Sequence, residues 1–238
     1  MASERSSDTA YFMFGRFNPP TIGHGSIFAK LAQDATAEGA DAFVFVSSTQ
    51  NSNKNPLSVG QKMYYLEKLF SGLPIQFINT TDCPIGTSVG KCTTPPEAVK
   101  RLREMGYVKL VMYAGSDRVK NFQWLRASDI KKGMEFPIEI PADRMPPRNN
   151  SNSETGMSAT KIREAARRGN VRSVKLGTGL SNENAEKLVM EIRRDSLNVS
   201  VGQVRKAIEE MSLSNQPMTK RSTRTTRKKG GKRRTRRH

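Results

Sequence analysis

Short apolar runs alternate with amphipathic stretches along most of the chain. Residues 11–14 read as a strand, and residues 42–46 as a continuous apolar strand of the kind buried on both faces. Residues 75–78, 108–113 and 137–140 read as three more. Between them the apolar period lengthens to that of a helix. Residues 22 to about 38 place Ile27, Phe28, Leu31 and Ala35 on one face. The next helix starts at Ser58, which forms a capping box with Gln61, and its predicted buried stripe is Val59, Met63, Leu66 and Phe70. Thr94 and Glu97 form a second box, with Pro95 at the first helical position and Gly106 as the stop. That helix buries Ala98, Leu102 and Met105. Residues 117–130 are predicted helical, and 143–156 a polar loop. Helices are then predicted over 158–168, 182–195 and 200–211, the first ending at Gly169 and the last opening on a Ser200/Gln203 box.

Strands alternating with helices of this length imply right-handed parallel β-α-β units. The expected fold is α/β, a Rossmann-like doubly wound parallel sheet of about five strands. Such sheets bind ligands at the carboxyl ends of strands, near the point where strand order reverses. The loops after the first and fourth strands are therefore the places to search. The two helices between 171 and 213 either pack back on the sheet or form a subunit contact.

Composition changes this picture at one end only. The chain has 238 residues, 40 Lys+Arg against 22 Asp+Glu, and a net charge of +18. Residues 219–238 hold eleven of the basic residues and no acid, so the remainder carries 29 against 22, or +7. The hydrophobic content of 35% is low for a packed domain, and no apolar residue follows Met218. The expected division is an extension over 1–9, a domain over 10–170, C-terminal helices over 171–213 and a disordered basic tail over 214–238. Arg233, Arg234, Arg236 and Arg237, with Lys228, Lys229 and Lys232, form a polyelectrolyte without interleaved aromatics. It suits sequence-indifferent contact with DNA or RNA, and equally a nuclear-localisation signal. No apolar run approaches the roughly 20 residues of a membrane span, and the polar residues 1–8 are no secretory signal. Two cysteines, Cys83 and Cys92, make neither a disulfide scaffold nor a metal cluster and are expected as free thiols. A cytoplasmic or nuclear location follows from these readings.

The loop after the first strand reads Gly15-Arg16-Phe17-Asn18-Pro19-Pro20-Thr21-Ile22-Gly23-His24. Its prolines stiffen it, and Gly23 clears the helix entrance. His24 falls in the first turn of a helix, whose free N–H groups favour an anion. Arg16 adds a cation suited to phosphate. Together these make a phosphate-binding loop with one imidazole aimed at the ligand. The string resembles the T/H-x-G-H signature of the nucleotidylyltransferase superfamily, with Thr21 where many members have a first His. Its Gly-Arg-Phe-x-Pro opening looks most like the archaeal-type nicotinamide mononucleotide adenylyltransferases and related proteins of phages and large DNA viruses, which also suggests a virion-associated or host-cell setting. A second string, Met157-Ser158-Ala159-Thr160-Lys161-Ile162-Arg163, resembles that superfamily's I-S-S-T-x-x-R, with Ala159 in place of a Ser.

The resemblance implies attack of a phosphate or alcohol on a nucleotide α-phosphorus and departure of pyrophosphate. An ionised phosphate nucleophile needs no general base, so the work is positioning and charge stabilisation. It implies that His24 hydrogen-bonds the α-phosphate, with Thr21 assisting. Gly15, Arg16, Phe17, Asn18, Gly23, Ser158, Thr160 and Arg163 would hold the nucleotide, and Mg²⁺ would bridge phosphate oxygens with few protein ligands. The expected partners are ATP, or CTP, and a phosphorylated small-molecule acceptor. After the fourth strand, Gly115-Ser116-Asp117 and Trp124 resemble an acceptor site in which an aromatic stacks on nicotinamide; Trp124 is otherwise a core residue of its helix. Lys54, in Asn53-Lys54-Asn55-Pro56-Leu57, either contacts the acceptor phosphate or is a solvated loop lysine. The resemblance favours ATP and nicotinamide mononucleotide, giving NAD. A cytidylyltransferase for a phosphorylated alcohol or sugar is the alternative, and a nucleic-acid- or virion-associated protein with a degenerate transferase body is a third. Gly86–Thr93 imitates a P-loop but is one residue short, with Cys92 where the metal-binding hydroxyl belongs. It is read as a surface loop.

Overall fold

In a computed structural model of the chain, β1 (Thr9–Gly15), β2 (Asp41–Val46) and β3 (Gln76–Asn79) run parallel. Next come β4 (Cys83–Ile85) and β5 (Ser88–Gly90), which form a separate antiparallel hairpin, and β6 (Lys109–Tyr113), which rejoins the parallel sheet. The strand order β3-β2-β1-β6 reverses direction at β1, between β1 and β6. The structure describes residues 7–51, 54–85, 88–144 and 157–194. All of them lie in the first of two units, 1–199 and 200–238, into which the chain divides. The predicted helix over 200–211 and the basic tail lie outside the described residues.

β1 and β2 are apolar without alternation because helices cover both faces of the sheet. Phe12 sits beside Phe43 on one side and Met112 on the other, all three fully or nearly fully buried. The expected fifth strand is reduced to one parallel bridge. Met112 N–H donates to Glu139 O (2.8 Å), and Glu139 N–H donates to Leu110 O (2.9 Å). Pro137 and Pro141 flank that bridge, and a residue without an N–H cannot extend the ladder. The sheet proper therefore has four strands.

The helices are α1 (Ile22–Ala37), α2 (Val59–Phe70), α3 (Pro95–Glu104), α4 (Gln123–Lys131), α5 (Ala159–Arg167), α6 (Val171–Thr178) and α7 over residues 182–194. Two of the three predicted capping boxes lie among the described residues, and both form: Gln61 accepts from Ser58 N–H (2.8 Å), and Glu97 from Thr94 N–H (3.0 Å). The stretch predicted helical from 117 is composite, a 3₁₀ segment over Ser116–Phe122 running into α4. Helix α6 was not anticipated from the apolar pattern. Its Asn170 cap, and Gly177 packed so closely that a Cβ would meet Ile162 at 2.9 Å, explain why so short and glycine-bearing a segment holds.

Two apolar clusters result. One joins the sheet to α1, α3 and the 3₁₀ segment. The other joins Leu57 and Tyr65 to Ile162 of α5, Val174 of α6 and Leu188 of α7. Helix α2 stands between them: its predicted stripe packs on the first cluster, Leu66 fully buried and Val59, Met63 and Phe70 partly, and Lys62 and Tyr65, outside that stripe, are buried as well. Tyr65 O–H donates to Glu191 (2.8 Å) and Tyr64 O–H to Asn184 (2.8 Å), tying α2 to α7. Burial and the Glu191 bond hold the Tyr65 phenol well above its ordinary pKa.

The cysteines are not free thiols. Cys83 and Cys92 form a disulfide, Cα to Cα 5.9 Å. The hairpin is the reason: it pairs Cys83 with Gly90, so the chain returns alongside itself and delivers Cys92 within bridging range. Ser88–Gly90, in the middle of the stretch read as a P-loop imitation and surface loop, form β5 of this hairpin, not the strand-loop-helix setting of a P-loop.

Candidate functional site

The carboxyl end of β1 opens into a loop locked by its own ring. Phe17 is buried with φ of 45°, a conformation that costs a non-glycine residue roughly 1–3 kcal/mol. Its ring occupies the space where a Cβ on Gly15 would stand, at 2.4 Å, so Gly15 and Phe17 require one another. The Asn18–Pro19 peptide is cis, and Asn18 is buried. Its amide is a clamp: Nδ2 donates to Leu57 O (3.2 Å), and Leu57 N–H donates to Oδ1 (3.1 Å). The loop after β1 is thereby fixed to the segment entering α2.

Thr21 caps α1 in extended backbone, and its hydroxyl accepts from His24 N–H (3.3 Å). His24 returns the bond, its Nδ1 accepting from Thr21 N–H (3.0 Å). This is a capping box with histidine in the place usually held by Glu or Gln. Ile22 and Gly23 supply the first N–H groups of the helix, the anion-attracting end. A Cβ on Gly23 would meet nothing closer than Thr21 Oγ1 at 3.6 Å, so the protein's own packing does not demand glycine there.

The second motif arrives from far along the chain. Ser158 caps α5, accepting from Lys161 N–H (3.4 Å). Arg163 Nη1 donates to Asn18 O (2.6 Å), and its Nη2 donates to Thr160 Oγ1 (3.1 Å). Its Nε is buried without a partner among the described residues. Burial first, then the nearby cations of Arg167 and Arg16, hold the Arg163 guanidinium below its ordinary pKa; Glu164 opposes them. Arg16, Arg163 and Arg167 are thus gathered where an anion would relieve their mutual repulsion.

One member of this group was missed at the level of sequence. Lys62 has no exposed surface and donates from Nζ to Ser47 O (2.6 Å) and Thr49 O (2.9 Å). Ser47 N–H in turn donates to Gly15 O (2.8 Å), so the lysine braces the loop after β2 against the end of β1. Desolvation, and to a smaller degree Arg16, lower its pKa to about 8. A lysine at a helical position, between Gln61 and Met63, reads as solvated. The signal that could have found it is its place in the first turn after the Ser58 cap, near the strand ends.

The structure therefore brings together Gly15, Arg16, Phe17, Asn18, Thr21, Gly23, His24, Thr160 and Arg163. Asp117 follows β6 on the other side of the reversal point, with Gly115 so close that a Cβ there would meet Asp117 Oδ1 at 2.8 Å. Trp124 is 51% exposed at the start of α4, which corrects the core alternative. Lys54 is exposed in a turn closed by Asn51 and Asn55. Among the described residues, no hydrogen bond, ion pair or ring contact ties Lys54 or Trp124 directly to the group around His24. Among the described residues no three His, Cys, Asp or Glu side chains gather to hold a metal ion.

Comparison with known proteins gives a family and a fold. The cytidylyltransferase-like family matches residues 12–165. No curated protein sequence matches the chain. Among solved structures, the Plasmodium falciparum nicotinic acid mononucleotide adenylyltransferase complexed with NaAD is 13% identical, with a TM-score of 0.52 over 80% of this chain and 98% of that one. The same protein complexed with APC is 12% identical, with a TM-score of 0.50 over the same shares. A Vibrio parahaemolyticus protein assigned as a nicotinate-nucleotide adenylyltransferase is 15% identical, with a TM-score of 0.48 over 76% of this chain and 98% of that chain. The likeness to the Plasmodium falciparum structures is one of fold: a parallel sheet flanked by helices.

Proposed function

The chain belongs to the cytidylyltransferase-like family of nucleotidylyltransferases, and we propose that it transfers the adenylyl group of ATP to nicotinamide mononucleotide, releasing pyrophosphate and forming NAD. The observation that carries nucleotidylyl transfer is the 2.6 Å bond from Arg163 to Asn18 O, which joins motifs 145 residues apart at one strand end. An oxygen of the acceptor's phosphate attacks the α-phosphorus. A new P–O bond forms there as the bond to the β-phosphate oxygen breaks, and the electron pair leaves with pyrophosphate. No proton need be removed, because that phosphate is already ionised near neutral pH. His24 donates to an α-phosphate oxygen as charge builds, and the first N–H groups of α1 face the same region. Arg16, Thr160 and Arg163 hold the β- and γ-phosphates. Mg²⁺ entering with the nucleotide would supply further charge neutralisation. The protein's own share is a set of cations and amides.

Exposed Trp124 beyond Asp117 supports a flat, cationic acceptor ring. Lys54, exposed in the turn closed by Asn51 and Asn55, meets the acceptor's phosphate in this reading. The test is a turnover screen: ATP and CTP, each with nicotinamide mononucleotide, nicotinic acid mononucleotide and a phosphorylated alcohol, with pyrophosphate release as the readout. ATP with nicotinamide mononucleotide is expected to give the highest kcat/KM. Preference for CTP with a phosphorylated alcohol would replace this reading with the cytidylyl one. No pyrophosphate from any pair would overturn transfer altogether.

A further inference from the structure

The histidine of the first motif is held in one chemical form by its neighbours. Its Nδ1 lies 3.0 Å from Thr21 N and 3.0 Å from Thr21 Oγ1. A backbone N–H can only donate, so Nδ1 is an acceptor. The same hydroxyl accepts from His24 N–H, which leaves its own proton to point at Nδ1. Both contacts therefore put the proton of the neutral ring on Nε2. The plane of the ring is set separately. The Phe17 ring meets it edge-on (centroids 5.1 Å apart, planes at 81°), and Phe28 lies nearly parallel to it at 6.4 Å. Phe17 reaches that place only by adopting φ of 45° and by using the space that Gly15 leaves. Strain at an active-site loop persists when the surroundings over-determine it.

We propose that Thr21 and Phe17 are positioning residues that present His24 as a fixed Nε2–H donor, the Thr21 cap choosing the tautomer and the Phe17 edge choosing the ring plane. At Nδ1 the helix cap does what an aspartate does for a histidine elsewhere. This rests on the reading of His24 as the α-phosphate donor. Thr21 then serves the nucleotide through His24 and not as a phosphate ligand. The protein contains its own control, since Gln61 Oε1 accepts from Ser58 N–H at 2.8 Å in the equivalent position of α2. A glutamine at 24 could take the Thr21 N–H through Oε1 and keep an amide N–H as donor.

The test uses the full chain with ¹⁵N-labelled histidine and steady-state kinetics. The only other histidine is His238, so loss of one signal in His24→Gln assigns the spectrum. The neutral His24 ring is expected as the Nε2–H tautomer; an Nδ1–H tautomer overturns the proposal whether or not any substrate turns over. His24→Ala is expected to lower kcat by at least ~10², and His24→Gln to retain at least ~10-fold more activity than His24→Ala. Equal rates for the two variants overturn the role of the cap. Phe17→Leu is expected to lower kcat about tenfold with KM for ATP nearly unchanged; an unchanged kcat in a folded Phe17→Leu protein removes Phe17 from the proposal. Undiminished turnover in folded His24→Ala, with the Nε2–H tautomer observed, would instead strike the reading of His24 as donor.

Discussion

Gly15 and Gly23 lie eight positions apart and answer to different demands. A Cβ on Gly15 collides with the Phe17 ring at 2.4 Å, whereas one on Gly23 meets ordinary space. Gly15→Ala is therefore expected to destabilise the protein. Gly23→Ala should leave stability unchanged or raise it by about 0.5–1 kcal/mol, since alanine loses less entropy in a helix. Its kcat/KM should nevertheless fall, because the space is kept for phosphate. Chemical denaturation and turnover on one sample separate the two effects. Lys62 makes a pH-dependent prediction. Its pKa is depressed to about 8 in the fold against 10.5 in the open chain, so between those values the unfolded state binds more protons. Its contribution to stability is thus fully present above 10.5 and is lost as pH falls through about 8. The stability of the native protein minus that of Lys62→Met should rise across that window; a flat difference would show the lysine to be solvated. The sequence told of neither role for Lys62, because burial of a cation depends on which loops fold over it. It also hid the Thr21–His24 box, since histidine is not the residue usually sought three places after a cap. The remaining first-motif residues, Gly15 to Asn18, were legible because their order in the string carries the chemistry.

At the scale of elements, what could be read was what local chemistry decides. The strands of continuous apolar residues, the Ser58/Gln61 and Thr94/Glu97 caps and the Gly106 and Gly169 stops all stand where the pattern put them. What could not be read was decided by partners distant in sequence. Pro137–Ile140 has a strand's composition, yet its flanking prolines allow only one bridge. The β4–β5 hairpin has no strong strand signal, and the Cys83–Cys92 link that it makes possible closes it. Cys92 N–H donates to Thr80 O (2.9 Å), and the Thr80 hydroxyl accepts from Ser48 N–H (3.0 Å), so the hairpin is connected to the loop that Lys62 braces. Thiol labelling of the unreduced, denatured protein should therefore find no reactive cysteine. The double variant Cys83→Ser/Cys92→Ser is expected to lose about 2–3 kcal/mol, the chain-entropy value for a loop of this size. Full labelling without reductant would refute the bridge.

For the molecule as a whole, the charge divides as the chain does. The eleven basic residues after Met218 lie beyond the first unit. Deleting 219–238 is expected to abolish salt-sensitive, sequence-indifferent polynucleotide binding and to change kcat by less than about twofold. Polynucleotide affinity retained by the shortened chain would assign the binding to the unit that holds the site. That unit is itself assembled from two clusters, and the second has a practical consequence. The family likeness stops at residue 165, but α5, the helix bearing Arg163, is packed by Val174, Leu188 and other residues that come later. The shortest active enzyme is accordingly not the stretch that resembles its relatives. A chain cut near residue 170 would keep every signature residue and lose the support that delivers one of them, whereas a cut after 199 would spare it. Homology marks the signature residues; where a gene could be trimmed is decided by helices beyond them.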